Sequence, residues 1–158
     1  MTPSPNHTQR GMIPPYPAQT AKTSGGKFMS VELSMLMWSG VLLLALILCS
    51  ATANSLAMGL PWGLSNRDEP ASTEGWRGRL KRTYANHTEN TLVFAAIVIP
   101  VSLAGISNDM TVLGAQIFLV SRIIHAITYV GGITLLGLRT LAYFGGVIGT
   151  VMILLQAV

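Results

Sequence analysis

The chain has 158 residues, of which 50% are hydrophobic and only 10% charged, and its formal net charge is +4. A soluble domain of this size carries about a quarter charged residues, so the composition excludes an ordinary water-soluble fold and points to a membrane protein. The positive charge gathers beside one apolar segment with no interleaved aromatics for base stacking, which suits anionic lipid headgroups and argues against a nucleic-acid partner.

Residues 1–28 hold Pro3, Pro5, Pro14, Pro15 and Pro17 among Ser, Thr, Gln and Gly, a composition that predicts a disordered tail. It lacks the apolar core and small-residue cleavage site of a signal peptide. The first span is therefore expected to act as an uncleaved anchor, with Met29 as an alternative start. Val31 to Ala57 carries no charge after Glu32 and exceeds the roughly 20 apolar residues needed to cross a bilayer, which predicts a first transmembrane helix over 31–57. Gly59 to Gly75 is expected to be a long loop, from Pro61, Gly63, Asn66, Pro70 and Ser72. A second helix is predicted over 82–107, polar from Arg82 to Asn90, apolar beyond, and kinked at Pro100. A third over 111–130 and a fourth over 138–157 follow. Asn-Asp chemistry between the second and third, and Gly-Gly chemistry between the third and fourth, predict short turns and antiparallel neighbours. Gly145 and Gly149 offer a small-residue face for close packing. The expected fold is an all-α integral membrane protein, a four-helix transmembrane bundle over residues 29–158.

Arg67, Arg77, Arg79, Lys81 and Arg82 lie between the first two spans or at the start of the second, against Arg10, Lys22 and Lys27 in the tail. Because cytoplasmic loops carry the basic excess, the 59–75 loop is expected in the cytoplasm and both termini on the opposite side. The single cysteine, Cys49, lies within the first span and cannot form an intrachain disulfide. No metal set is expected.

Helical spacing groups the polar residues of the spans. Arg82, Asn86 and Glu89 share one stripe, with His87 about 100° away; Arg122, His125 and Tyr129 share another, and Arg139 and Tyr143 a third. A charge at mid-bilayer costs at least about 2.5 to 3.5 kcal/mol, so such residues turn inward and pair. Glu89, taken as the only acid within the spans, is expected to form a structural ion pair with Arg122, and His125 to satisfy a carbonyl or a ligand. Arg139 is then left without an acid, and its planar guanidinium suits either an anionic ligand or a lipid headgroup.

These residues carry a resemblance. Arg82-Thr-Tyr-Ala-Asn86-His-Thr-Glu89-Asn90, Arg122-Ile-Ile-His125-Ala-Ile-Thr-Tyr129 and Leu138-Arg139-Thr140-Leu-Ala-Tyr143 resemble, in order and separation, the motifs of the MAPEG family, membrane-associated proteins in eicosanoid and glutathione metabolism. The resemblance runs from about Met29 to the C-terminus, in the manner of bacterial members similar to microsomal glutathione transferase. It implies a homotrimer with glutathione as co-substrate between neighbouring subunits on the cytoplasmic side. In its terms Arg139 stabilises the glutathione thiolate, the nucleophile. Thr140 donates to the same sulfur, and Arg82, Asn86, Glu89, His125, Tyr129 and Tyr143 surround the tripeptide. Arg122 supports the site.

The chain also departs from the glutathione-binding pattern. Ala85 stands where such members have a second Arg, Tyr84 replaces a common His, and the first span has no Lys or Arg. Each lost charge-assisted hydrogen bond is worth about 1.5 to 3 kcal/mol. The expected function is a glutathione-dependent transferase or peroxidase acting on lipophilic electrophiles or hydroperoxides in a bacterial cytoplasmic membrane. The alternative is a non-enzymatic member that binds membrane lipid or serves as an accessory subunit of a larger membrane assembly. A proton pathway is disfavoured, because the first span offers little polarity beyond Ser50, Thr52 and Asn54.

Overall fold

The computed structural model describes residues 29–134 and 137–158; the expected Pro-rich tail lies outside them. Among the described residues the chain forms five helices and no strand: α1 Val31–Met58, α2 Leu60–Leu64, α3 Gly75–Leu103, α4 Asp109–Gly131 and α5 Leu138–Leu154. The four long helices run up and down. α1 packs on α3 and α4, α3 also on α4 and α5, and α4 on α5.

The 28 residues of α1 make a helix about 42 Å long. Ser30 caps it, its hydroxyl accepting from Leu33 N at 3.3 Å. Glu32, Ser39, Leu46 and Ser50 are its buried residues, a stripe spaced by seven, seven and four that faces the bundle. Trp38, Val41, Leu44 and Leu48 point outward and stay exposed, as apolar side chains do against lipid. α1 and α4 are long and apolar enough to cross a membrane by themselves, with mean hydropathies of 2.2 and 1.6.

α3 differs most from its predicted bounds. It begins seven residues before Arg82, because Arg77, Arg79, Lys81 and Arg82 continue the helix outward instead of belonging to a loop. Gly78 permits this start, since any Cβ there would overlap the Thr73 carbonyl. The helix runs through Pro100 and stops at Leu103, four residues short of the predicted end. Gly105, at φ +73°, takes the left-handed position that ends it. Gly105 N then donates to Ser102 O and Ile106 N to Val101 O, each at 3.1 Å, closing the last turn. Gly132, at φ +70°, ends α4 in the same way, with Ile133 N on Thr128 O at 2.9 Å. The 59–75 segment, expected to be loop throughout, contains the short α2.

The core is layered. Phe94, Val98, Val101, Ala115, Phe118 and Ile153 form one buried cluster, and the Phe94 and Phe118 rings stack with centroids 3.8 Å apart. Leu46, Leu80 and Ala126 form a smaller cluster. α4 and α5 meet almost backbone to backbone, for a Cβ on Gly114 would lie 2.6 Å from Gly149 O and one on Gly149 would lie 2.9 Å from Phe118 N. Small residues allow the close approach that dispersion requires in lipid, where helices gain nothing by hiding from water.

The end of the bundle where α1 and α4 begin is closed around a carboxylate. Glu32 is 2% exposed, and its Oε1 accepts from Ser107 Oγ at 2.8 Å and from Thr111 Oγ1 at 2.5 Å. Thr111 also belongs to the cap of α4: Asn108 Oδ1 accepts from Thr111 N at 3.0 Å, and Thr111 Oγ1 accepts from Asn108 N at 2.9 Å. Asn108 Nδ2 reaches Gln156 Oε1 at 3.1 Å, which ties in the C-terminal end of α5. The expectation that Glu89 is the buried acid is therefore corrected. Glu32 is buried and Glu89 is exposed, because the first turn of α1 is covered by the α3–α4 turn.

Candidate functional site at the Tyr129 end

At the opposite end, three arginines from two helices, Arg79 and Arg82 of α3 and Arg139 of α5, converge on the last turn of α4. Arg79 Nε donates to Val130 O at 3.1 Å, and its guanidinium lies beside Gly132, where a Cβ would come within 3.2 Å of Cζ. Arg82 Nε donates to the Tyr129 hydroxyl at 3.3 Å, while its Nη1 donates to Thr73 O at 3.2 Å. Arg139, in the first turn of α5, places Cζ 4.9 Å from the centre of the Tyr129 ring. That is within the range of a cation–π contact. Tyr129 thus meets one guanidinium at its hydroxyl and another at its ring, and the His125 ring lies 5.6 Å away, centre to centre.

One layer deeper lies Arg122, 1% exposed. Its Nη1 donates to Asn86 Oδ1 at 3.1 Å, and its Cζ lies 5.5 Å from the Tyr143 ring centre. Nε and Nη2 are buried without partners among the described residues. The ion pair expected between Glu89 and Arg122 is not made within this chain. Asn86 takes the guanidinium instead, and Glu89, one turn further along α3, faces the groove toward α5. Gly146 leaves room for the buried arginine, since a Cβ there would lie 3.3 Å from Nε.

Asn86 is steadied from its own helix, its carbonyl accepting from Asn90 Nδ2 at 2.8 Å. His87, on the adjoining face of α3, turns to α1 and places Nε2 3.0 Å from Ser39 O. Thr140 is exposed beside Arg139, where the two residues line a cavity of about 100 Å³ with Thr134, Gly137 and Leu138. A larger groove of about 300 Å³ separates α3 from α5. Its polar rim is Glu89, Asn90 and Tyr143, and Val93, Ile97, Val147 and Val151 continue it as an apolar channel.

Arg82, His125, Tyr129 and Arg139 thus form one group and Asn86, Arg122 and Tyr143 a second beneath it, together the cluster, with Thr140 at its edge and Glu89 on the neighbouring groove. Arg79 falls outside the predicted second helix, and its three-residue distance from Arg82, which extends the Arg82–Asn86 stripe by one turn, is the signal that could have found it. The arrangement can hold an anion at the rim, where two guanidiniums flank a phenol and no carboxylate neutralises them among the described residues.

No curated protein matches the chain at a significant level. The profile of the MAPEG family matches residues 35–158, which takes in all of α3, α4 and α5, α1 beyond its first turn, and every residue of the cluster. With two helices that can cross a bilayer unaided, the chain is an integral membrane protein and belongs to the MAPEG family.

Proposed function

We propose that the chain is a membrane-embedded, glutathione-dependent transferase or peroxidase acting on lipophilic electrophiles or hydroperoxides. The observation that carries this reading is the convergence of Arg82 and Arg139 on Tyr129, two cations with no anion beside them among the described residues. A free thiol has a pKa of about 8.5 and is mostly protonated at neutral pH, so a fixed cation beside it raises the reactive thiolate fraction. Arg139 is the group for that role, with Thr140 donating to the sulfur. Arg82, Asn86, Glu89, His125, Tyr129 and Tyr143 would hold the rest of the tripeptide.

In conjugation the thiol proton passes to solvent, the sulfur bonds to an electrophilic carbon, and the anion released or formed takes up a proton. In peroxide reduction the thiolate attacks the O–O bond, giving an alcohol and a sulfenic acid. A second glutathione then converts the sulfenic acid to disulfide and water. The groove between α3 and α5 admits an apolar substrate from the lipid side.

In this reading α3 and α5 also cross the bilayer and complete a four-helix transmembrane bundle, which assembles as a homotrimer. The basic Tyr129 end faces the cytoplasm of a bacterial membrane, in keeping with the excess of Arg and Lys there. A second reading, a lipid-binding or accessory subunit without turnover, is favoured by Ala85 and by the lack of any Lys or Arg in α1.

The test is a titration of detergent-purified protein with glutathione, following ultraviolet thiolate absorbance in wild type and Arg139→Ala. A saturable signal lost in the variant supports the transferase. No signal at millimolar glutathione favours the second reading.

A further inference from the structure

The segment joining α1 to α3 builds another pocket, on the far side of α3 from Tyr129. Residues 82 and 84 are about 200° apart around a helix, so Arg82 reaches α4 while Tyr84 turns to α1. Tyr84 lines a cavity of about 240 Å³ with Ile47, Ser50, Asn54, Trp62 and Arg67. None of these residues belongs to the proposed glutathione site.

The pocket is held in an unusual way. Arg67 is the one non-glycine residue among those described with positive φ, at +58°. Arginine lacks the short side chain that lets Asn or Asp bond its own backbone there, so its surroundings must impose the conformation. Arg67 N donates to Ser65 Oγ at 3.1 Å, and Arg67 Nη2 donates to Gly63 O at 3.3 Å. The guanidinium lies over the Trp62 ring, Cζ 5.4 Å from its centre, and Trp62 Nε1 donates to Glu69 O at 2.8 Å. Gly63 seats α2 directly on α1, since a Cβ there would lie 2.7 Å from Ser55 Oγ.

The depth of the pocket follows from α2. Leu60 and Leu64 are 70% and 88% exposed, an apolar edge suited to the boundary between headgroups and acyl chains. At that depth the pocket offers a cation stacked on an indole, hydroxyls from Ser50 and Tyr84, and apolar Ile47 below. No carboxylate lines it. Asn54 Oδ1 is buried without a partner and calls for a donor, which a headgroup hydroxyl supplies.

The geometry points to a binding site for a phosphate-bearing anion, with the phosphate on Arg67 and a headgroup hydroxyl on Asn54. An anionic phospholipid such as phosphatidylglycerol presents both groups at this depth. A soluble phosphate presents only the anion.

Trp62 is a built-in reporter. Trp38 and Trp76, both exposed, are replaced by Phe in the full chain, leaving Trp62 as the one indole. Its emission is followed while detergent micelles are doped with phosphatidylglycerol or phosphatidylcholine, and separately with inorganic phosphate. A saturable change with phosphatidylglycerol is expected, weakened about tenfold in Arg67→Ala, restored in Arg67→Lys, and weakened again in Asn54→Asp. An equal, Arg67-dependent response to inorganic phosphate keeps the anion site and assigns it to a soluble ligand. The same response in Arg67→Ala as in the parent, an equal response to phosphatidylcholine, or no saturable change overturns it. Because the readout involves neither glutathione nor Arg139, it stands or falls separately from the transferase.

Discussion

At one end of the bundle the carboxylate of Glu32 is met by two hydroxyls, both from the α3–α4 turn and the cap of α4, and the helix ends are tied to one another around it. At the other end Arg79, Arg82 and Arg139 crowd the last turn of α4, Arg122 lies buried behind them, and their partners are carbonyls, an amide, a phenol hydroxyl and aromatic rings. Both ends carry charge of one sign. The acidic end supplies neutral donors to one oxygen of its carboxylate, Oε1, and closes over the other, Oε2, which is buried without a partner among the described residues. The basic end is left short of anions, which is the condition under which a ligand's charge, and not a side chain's, completes the site.

Substitutions at the two ends should therefore separate activity from stability. Arg139→Ala is expected to lower turnover by about two to three orders of magnitude, the scale of one lost transition-state donor. Its thermal midpoint should hardly move, since the side chain is exposed. A large loss of stability would instead make Arg139 part of the scaffold. Glu32→Ala should do the reverse, costing about 3 kcal/mol in detergent unfolding as Ser107 and Thr111 lose their charged acceptor. Turnover per folded molecule should stay near wild type, and a collapse of activity at unchanged stability would contradict the division. Gly149→Ala, between the two ends, should cost about 2 kcal/mol by forcing α5 away from the α4 backbone. The smallest effect is expected for Tyr129→Phe, which removes the hydroxyl under Arg82 and should raise the glutathione KM about threefold to tenfold with kcat little changed.

Much of this was written in the sequence, though unevenly. The ends of α1 were legible because an apolar run of that length stops where polarity and Gly59 begin. The start of α3 was not, because a run of arginines is equally at home in a solvated loop and in a helix. What made it helical was a distant carbonyl, Val130 O, waiting for Arg79. The stripes of Arg82 with Asn86 and of Arg122 with Tyr129 followed from periodicity, which fixes the face of a helix. Periodicity does not fix which neighbour that face meets, so Asn86 rather than Glu89 emerged beside Arg122. Glu32 was overlooked for a related reason. A carboxylate in the first turn of a helix normally faces water, and only the α3–α4 turn folding over it made it buried.

The contact between Gly114 and Gly149 also bears on how the chain is made. α5 has 17 residues, about 26 Å of helix, against a hydrocarbon layer of about 30 Å, and Arg139 stands at its leading edge. A segment that short and so headed partitions weakly from the translocon on its own. In the proposed four-span bundle, α5 fastened backbone to backbone onto α4 would leave as the second arm of a helical hairpin, and its insertion would depend on two hydrogen atoms where any other residue would carry a side chain.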